Sequence, residues 1–468
     1  MKSLKTVFIF LCVLFLFGAP SLLEALQPPA AVGAILPIEK TDRVLILAPH
    51  PDDEAIACAG IIQQALSSGA QVKVTYLTNG DHNQIAFIVY EKRLTFRKGE
   101  FIHMGEVRQK EAIKAMEILG VDSKDLIFLG YPDFGTFTIL KRFWGDTKPY
   151  KSMLTKISSV PYKENLSYGA PYKGESILSD LKSVLREYAP TKIFVSHPAD
   201  ANSDHKALYL FLQVALRDLR DDIPSPEVYP YLVHSIGWPL PRHYHPELGL
   251  TPPKQFLASR AQWTKIELTP EQVNKKYQAI LCYKSQTSSS AFYLLAFARG
   301  NELFGDYPET TLIREGQEKP GLVRFAGISD MFNVSRDIDW NNPGDIVKGK
   351  GRVSYGVDKE NLLIRVDKLK GQGRKFNLQF YLFGYSGRVP FASMPKVRII
   401  IKNNKFRVFD GKNMVRGPGL SLELDAGRLI AKVPLRLLKE PDFILAAVKT
   451  YASMLRTDTT SFRKINIK

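Results

Sequence analysis

Residues 47–60 read "LAPHPDDEAIACAG". The apolar run "RVLILA" that ends inside this stretch is a buried strand, and "EAIACAGIIQQALSSG" after it is an amphipathic helix closed by a glycine. Between the two stand His50, Pro51 and three acids in a row, Asp52, Asp53 and Glu54. Pro51 suits a helix start, where its missing N–H costs nothing. Acids in a first helical turn are favoured by the helix dipole. Capping therefore accounts for Asp52 or Asp53. It does not account for His50 beside them, nor for three adjacent carboxylates whose repulsion needs a cation to offset it. His50 and Asp53, three apart across a strand-to-helix turn, can reach one ion. Asp52 points elsewhere, close to that ion.

Working outward, the same alternation continues. "QVKVTYLTNG", "DLIFLGYPDF", "KIFVSHPAD" and "EVYPYLVHS" are strands, and "VRQKEAIKAMEILGV", "ESILSDLKSVLREYAP" and "DHKALYLFLQVALRDL" are helices. This spacing predicts an α/β fold, a Rossmann-like, mainly parallel sheet with helices on both faces. Sites in such folds lie at the carboxyl ends of strands, where strand order reverses. "KIFVSHPADANSDHKALYLF" repeats the opening device: a strand, a polar loop, and His205 at the start of a helix. Two imidazoles and one carboxylate with an open coordination position describe a catalytic zinc site. Zinc there would acidify a bound water and polarise a carbonyl, with Asp52 as general base. His197, Asp200 and Asp204 are rivals to His205 for the third ligand position; His205 is preferred because it opens its helix as His50 opens the other.

"PHPDDE" at 49–54 and "NSDH" at 202–205 resemble the two signature loops of the PIG-L/LmbE-like family of zinc-dependent N-acetylglucosamine deacetylases. "LTNGD" at 77–81, "VRQKEAIKAMEILGV" at 107–121, "GYPD" at 130–133 and "YKSQ" at 283–286 look like further landmarks in the expected order. The similarity covers residues 40–305. It implies a metal held by His50, Asp53 and His205 (zinc, with Fe2+ as the alternative) and Asp52 as base. It also implies that Arg108 and Asp133 face substrate. On structural grounds alone, Arg108 can equally pair with Glu111 one helical turn on, Asp133 can be a turn residue after Pro132, and Glu54 is a helix-start residue or a support for the ligands. One departure stands out: the family histidine three residues before the metal-binding one is Asn202 here. An asparagine donates a hydrogen bond to an oxyanion but supplies no proton at neutral pH. Asn202 and His197 are assigned to the substrate side, and His197, His234 or the His243/His245 pair could replace the missing imidazole.

Two stretches break the rhythm. Residues 136–175 are rich in Tyr, Lys, Pro and Gly and read as a long loop insertion, with its aromatics suggesting a substrate-side lid. Residues 236–262 read as a second irregular excursion. Beyond a linker at 306–340, residues 341–468 alternate as short strands, with Asn403-Asn404 placed for a tight hairpin, and predict an all-β sandwich.

The chain of 468 residues is too long for one core. Its opening "MKSLKTVFIFLCVLFLFGAP" has two lysines, an apolar run and small residues, the layout of a secretory signal over residues 1–25, or of an N-terminal anchor. Cys58 and Cys282 read as small hydrophobes rather than a required disulfide. Net charge is +17, and residues 341–468 carry 26 Lys+Arg against 10 Asp+Glu, or +16. That asymmetry suggests an anionic envelope polymer or membrane surface as a partner, beside the N-acetylated sugar or glycan substrate. With a secretory signal, nucleic acid is a poor candidate, and the expected location is outside the cytoplasm, secreted or in the cell envelope. The expected function is metal-dependent N-deacetylation. The alternatives are a zinc amidase on another small amide, a glycan-binding protein with a degenerate site, and a structural envelope protein.

Overall fold

The computed structural model describes residues 32–34, 37–92, 97–256, 261–307, 309–314, 326–331, 352–367, 377–425, 428–452, 455–459 and 461–468. The N-terminal apolar run with Cys12 lies outside them. Among the described residues no helix is long and apolar enough to cross a membrane.

The first half of the chain builds β1 (Val32–Ala34), β2 (Arg43–Ala48), α1 (Asp53–Ser68), β3 (Gln71–Thr78), α2 (Gln84–Glu91), α3 (Lys98–Leu119), β4 (Leu126–Tyr131) and α4 (Thr136–Arg142). It continues with α5 (Gly174–Tyr188), β5 (Lys192–Ser196), α6 (Ser203–Asp218), β6 (Glu227–Tyr231), β7 (Gln262–Glu267), α7 (Pro270–Leu281), α8 (Lys284–Leu294) and β8 (Asn301–Asp306). Eight strands form one sheet in the order β1-β7-β8-β6-β5-β2-β3-β4. Strands β2 to β6 run parallel, while β8 is antiparallel to both its neighbours.

The alternation along β2 explains the layering. Val44, Ile46 and Ala48 face one core with Ala55 and Ile62 of α1 and Met116 of α3. Leu45 and Leu47 face the other, with Leu181 of α5 and Leu208 and Leu212 of α6. Both faces are covered, so these strands are apolar throughout. Strand order reverses between β2 and β5, and the loops leaving those two strands open side by side. Helix α1 is pinned from behind by a buried Lys276–Glu302 pair at 2.8 Å, whose Glu302 also accepts from the backbone N–H groups of Gly60 and Ile61. Cys58 is buried in this packing, and neither Cys58 nor Cys282 is disulfide-bonded.

The second half builds β9 (Thr310–Leu312), β10 (Ala326–Met331), β11 (Arg352–Val357), β12 (Asn361–Asp367), β13 (Asn377–Tyr385), β14 (Lys396–Lys402) and β15 (Lys405–Asp410). It ends with β16 (Asn413–Val415), β17 (Ser421–Asp425), β18 (Arg428–Pro434), β19 (Phe443–Ala452), β20 (Leu455–Thr459) and β21 (Arg463–Ile467). Sheets of order β10-β11-β12-β18-β17 and β16-β15-β14-β13-β19-β21-β9 share one apolar cluster, including Ile364, Ala431, Phe380, Ile399 and Val448. Asn403 and Asn404 turn β14 into β15 with φ of +49° and +66°, as a two-residue hairpin turn requires. The stretch 306–340, expected as a linker, supplies β9 and β10 to these sheets.

The insertion at 136–175 differs from the sequence expectation. Residues 136–142 are helical, because Phe137, Ile139 and Leu140 have a surface to bury against. That surface is the sandwich. Phe137 meets the rings of Tyr381 and Phe462 at 5.9 and 5.7 Å, and Trp144 meets Phe391 at 5.3 Å. Tyr162 and Tyr172 are buried as well. Phe137 and Trp144 join the two halves, and no residue of 136–175 lines the cavity at the carboxyl edge of the sheet. The outer face of β13, through Tyr381, Phe383 and Tyr385, belongs to the same core as α5 and α6.

Candidate active site

Five loops at the carboxyl edge of the sheet meet around one cavity of about 400 Å³, lined by His50, Asp52, His82, Asn83, Arg108, Asp133, Phe134, Asn202, His234 and Gln286. The loop after β2 gives His50, Asp52 and Asp53. The backbone N–H of His50 donates to Asp53 Oδ2 at 3.0 Å, and its Nδ1 lies 3.2 Å from the same oxygen. His205, at the start of α6, brings its Nε2 to 3.1 Å from that oxygen. His50, Asp53 and His205 therefore offer ligand atoms all within 4.8 Å of one another, and all three are buried.

Two further groups of that kind share a histidine with this one, His50–Asp133–Asp204 and Asp200–His205–His234. Two of their acids, Asp204 and Asp200, are already committed. Asp204 accepts from the backbone N–H groups of Phe134 and Thr136 and from the Thr136 hydroxyl. Asp200 accepts from the N–H groups of Asn202, Val233 and His234. Both sit behind an imidazole. Asp200 Oδ2 lies 3.3 Å from His205 Nδ1, and Asp204 Oδ2 lies 3.5 Å from His50 Nε2. Carboxylates in that position fix ring orientation and raise ligand basicity. Asp53, by contrast, presents one oxygen to both rings.

The electrostatics favour positive charge among these groups. Burial opposes a proton on His50, yet Asp133, Asp204 and Asp53 outweigh it and raise its pKa well above the ordinary value. Burial likewise opposes charge on His205, but Asp200 and Asp53 lift it to about 9. Asp53 is held far below the usual carboxylate range: burial works against its charge, and His205 and His50 prevail. His50 Nε2 and both His205 ring nitrogens are buried without a hydrogen-bond partner. Of these atoms His205 Nε2 faces Asp53; a donor set of two imidazoles and a carboxylate, with that nitrogen orphaned, fits a divalent cation such as zinc.

Asp52 stands beside this group with a strained backbone, φ +120°, a conformation that costs a side-chain-bearing residue roughly 1–3 kcal/mol. Burial pushes its carboxyl up to about 6, against the opposing charge of Arg108. Arg108 does not pair with Glu111 as a simple helix-surface residue would. Its Nη2 donates to Pro51 O at 2.6 Å and to Asp52 Oδ2 at 3.2 Å, and its Nη1 donates to Gly80 O at 3.0 Å. Gly80 makes this approach workable: a Cβ there would lie 1.9 Å from the guanidinium. Glu111 instead accepts from Ser285 N–H and hydroxyl at the start of α8.

Asp133 lines the cavity 3.1 Å from His50 Nε2 and accepts from His82 N–H at 3.1 Å. Asn202 lines it too, while its Oδ1 accepts from Asp204 N–H and caps α6. Glu54 is fully buried, accepting from Asp52 N–H and from the Tyr283 hydroxyl, and burial pushes it up to about 8. It supports the loop and meets no cavity wall.

His197 is placed elsewhere, correcting the substrate-side assignment. Its ring is fully buried, stacked on Trp263 at 5.9 Å with Phe256 and Tyr307 at its edges. Burial depresses its pKa to about 3, so it packs as a neutral ring with Nδ1 accepting from Ala199 N–H. Of the other histidines named as substitutes, His243 and His245 do not line the cavity, whereas His234 does, with Nδ1 3.2 Å from Asp200 Oδ1. The sequence reading had Asp200 and Asp204 only as rival ligands; their role as braces depends on contacts among loops far apart in the chain.

No curated protein matches the chain. Among solved structures it is similar to a conserved protein from Thermus thermophilus, at 20% identity over 55% of this chain and 85% of that one, TM-score 0.33. It is similar also to N,N'-diacetylchitobiose deacetylase from Pyrococcus horikoshii, at 18% identity over 55% of this chain and 74% of that one, TM-score 0.34. A third likeness is to the 4-carboxy-2-hydroxymuconate hydratase GalB from Pseudomonas putida, at 16% identity over 58% of this chain and 98% of that one, TM-score 0.37. The family profile of PIG-L, described as GlcNAc-PI de-N-acetylase, matches residues 45–216, the span that holds both loops of the His50–Asp53–His205 group. Residues 45–216 of this chain are a PIG-L family domain.

Proposed function

We propose that this chain is a metal-dependent hydrolase that removes the N-acetyl group from an N-acetylglucosamine-type sugar or glycan. One observation carries the reading: three ligand atoms from His50, Asp53 and His205 converge beside a polar cavity whose wall includes Asp52. The family of residues 45–216 supports the same chemistry. A divalent cation held by those three side chains, zinc or ferrous iron, would polarise the amide carbonyl and acidify a water.

The rest of the work falls to the chain itself. Asp52, with its carboxyl near neutrality, accepts the proton of the attacking water and can return it to the departing amine. Arg108 holds that carboxylate in place. Asp133 and Asn202 border the same space and are the residues to meet sugar hydroxyls or the carbonyl oxygen. Asp200 and Asp204 keep the imidazoles of His205 and His50 turned to the site.

Asn202, standing where the family pattern has a histidine, is what favours a second reading: a glycan-binding protein without turnover. A zinc amidase on another small amide would use the same side chains. Metal content of the purified chain, measured together with acetate release from a panel of N-acetylated amino sugars, decides among them. Bound zinc or iron with acetate release supports the deacetylase. Acetate absent at every metal loading ends it.

We extend the proposal to location. Residues 1–25 would act as a secretory signal or anchor, and the excess positive charge of 341–468 would hold the protein against an anionic envelope polymer or membrane face. The mature N-terminus, read by mass spectrometry, tests the first. Retention of the full chain on acidic envelope polymer at low but not high salt tests the second.

A further inference from the structure

The seam between the two halves carries a second concentration of charge, opposite in sign to that of the cavity. Lys141 and Arg142 stand in the last turn of α4. The outer face of the sandwich brings Arg398 of β14 and Lys449 of β19 to the same place. Lys141 Nζ lies 4.5 Å from the centre of the Phe137 ring and 5.9 Å from that of Tyr381. Lys449 Nζ lies over the same two rings, at 5.9 and 5.2 Å. Two ammonium groups thus share one aromatic pair. Lys141, Arg142 and Arg398 line one narrow cleft, and Arg142 Nε is buried without a hydrogen-bond partner. Burial pushes the Lys141 ammonium down to about 7, and the charges that add to this effect, Lys449, Arg142 and Arg398, are all cations. A helix dipole favours cations in a last turn, and ring faces offset part of their repulsion. Neither explains why the other half of the molecule supplies more of them.

The strip continues along the same sheet face. Arg398 stands opposite Tyr381, and two residues further along β14 and back along β15 the face presents Ile400 opposite Arg407, then Lys402. Arg407 and Lys402 are exposed. Strands β13, β14, β15, β16 and β19 contain a single acid, Asp410, whose Oδ1 accepts from Lys396 N–H at 2.7 Å. Resting on the reading of the +16 tail as an anion-binding part, we infer that this strip is a binding site for a phosphate-bearing polymer, with one phosphoryl group seated at Lys141, Arg142, Arg398 and Lys449 and the chain running on over Lys402 and Arg407. Phosphate suits the cluster because it offers enough oxygens to meet ammonium and guanidinium groups together, where a carboxylate has two. A polymer suits it better than a bilayer. Lys141 and Lys449 are half-buried in the seam, within reach of a single chain, whereas a flat headgroup surface meets only exposed tips. Nucleic acid is disfavoured because Phe137 and Tyr381 are less than a tenth exposed and lie under ammonium groups, so they give bases no open face for stacking.

The test uses the full chain and inorganic polyphosphate as the probe, with binding followed by calorimetry over a series of salt concentrations. Wild type should bind polyphosphate more tightly than polygalacturonate, phosphatidylglycerol vesicles or single-stranded DNA. Replacing Lys141, Arg398 and Lys449 together by Gln should weaken polyphosphate binding about tenfold or more and flatten the slope of log Kd against log salt by about two, since three ion contacts are lost. The same charge removed elsewhere, by Lys359→Gln, Lys432→Gln and Arg436→Gln together, should change Kd by no more than about twofold. Exchanging Lys141 and Lys449 for Arg, and Arg398 for Lys, should keep the binding, which separates charge from damage to the seam. Lys402→Gln with Arg407→Gln, both exposed and outside the seam, should weaken binding about threefold without loss of fold. Polyphosphate should raise the thermal midpoint of wild type, because it binds groups that only the folded halves bring together. Equal losses in the seam and control variants overturn the strip and leave a diffuse attraction to anionic surfaces standing. Tighter binding of vesicles or of DNA than of polyphosphate overturns the polymer. Wild type that binds no polyanion at low salt removes the strip and the envelope reading together.

Discussion

The two halves of this molecule bury charge for different ends. At the carboxyl ends of β2, β4 and β5, His50, Asp52, Asp53, Asp133, Asp200, Asp204 and His205 are all less than a tenth exposed, with acids outnumbering the cations nearby. Ring nitrogens among them have no hydrogen-bond partner. In the sandwich, Lys396 is equally buried but spent: its Nζ donates to Phe391 O and Met394 O at 2.6 and 2.7 Å and lies over the rings of Phe391 and Trp144. A buried charge with satisfied donors is architecture. A buried cluster in which acids are in excess and ring nitrogens are orphaned is a place for a ligand.

Substitutions can break that contrast or sharpen it. The largest effect is expected from His205→Ala: metal content of the purified chain should fall to background and acetate release with it. If the variant keeps its full metal, the ligand group is wrong. Asp52→Asn comes next, lowering turnover about 10²–10⁴-fold while metal content stays at the wild-type level, because the proton acceptor goes and the ligands remain. Asparagine has the shape and volume of the aspartate it replaces, so the fold should survive. Asp200→Asn should weaken metal affinity about 10–100-fold, read by competition with a chelator, since the carboxylate that braces His205 and also gathers the Asn202, Val233 and His234 N–H groups is lost. Unchanged affinity would mean that His205 needs no brace.

The smallest effect on activity belongs to the sandwich. Lys396→Met should leave turnover within about twofold and cost about 1–3 kcal/mol of stability, because two buried carbonyls lose their donor. The pH dependence should change as well. Burial pushes this ammonium from 10.5 down to about 7. Between those values the unfolded chain holds the proton more than the folded chain does, so folding stability rises with pH across that window. Chemical denaturation at pH 7 and pH 9 should show a shallower rise in the variant. An unaltered rise would remove Lys396 as its source.

Much of the α/β half was legible in the sequence because each signal is local. Alternating apolar runs gave the strands around β2 and β5, and the histidines and acids stood where those strands end. What was missed has long-range causes. Helix α4 looked like loop because its apolar face, Phe137 with Ile139 and Leu140, is small and finds its partners far downstream, in Tyr381 and Phe462. Strands β7 and β8 pair antiparallel with each other at the edge of a parallel sheet, which no periodicity announces. Helix α7 did carry a local signal that went unread: Thr269 and Gln272 form a capping box around Pro270. His197 misled because a histidine at a strand end looks alike whether it lines a cavity or stacks beneath one.

By itself the sequence determined where chemistry could occur, since the residue types that bind a cation and the strand-to-helix turns that carry them are neighbours along the chain. Only the tertiary structure decided which acids are left open to a cation and which are taken up by backbone donors. That choice depends on how many backbone N–H groups already occupy each carboxylate, and those donors arrive on Val233, Phe134 and Thr136 from loops the chain brings together only by folding. The same holds for the union of the two halves: aromatic residues fix that a surface will be buried, and packing alone selects against what.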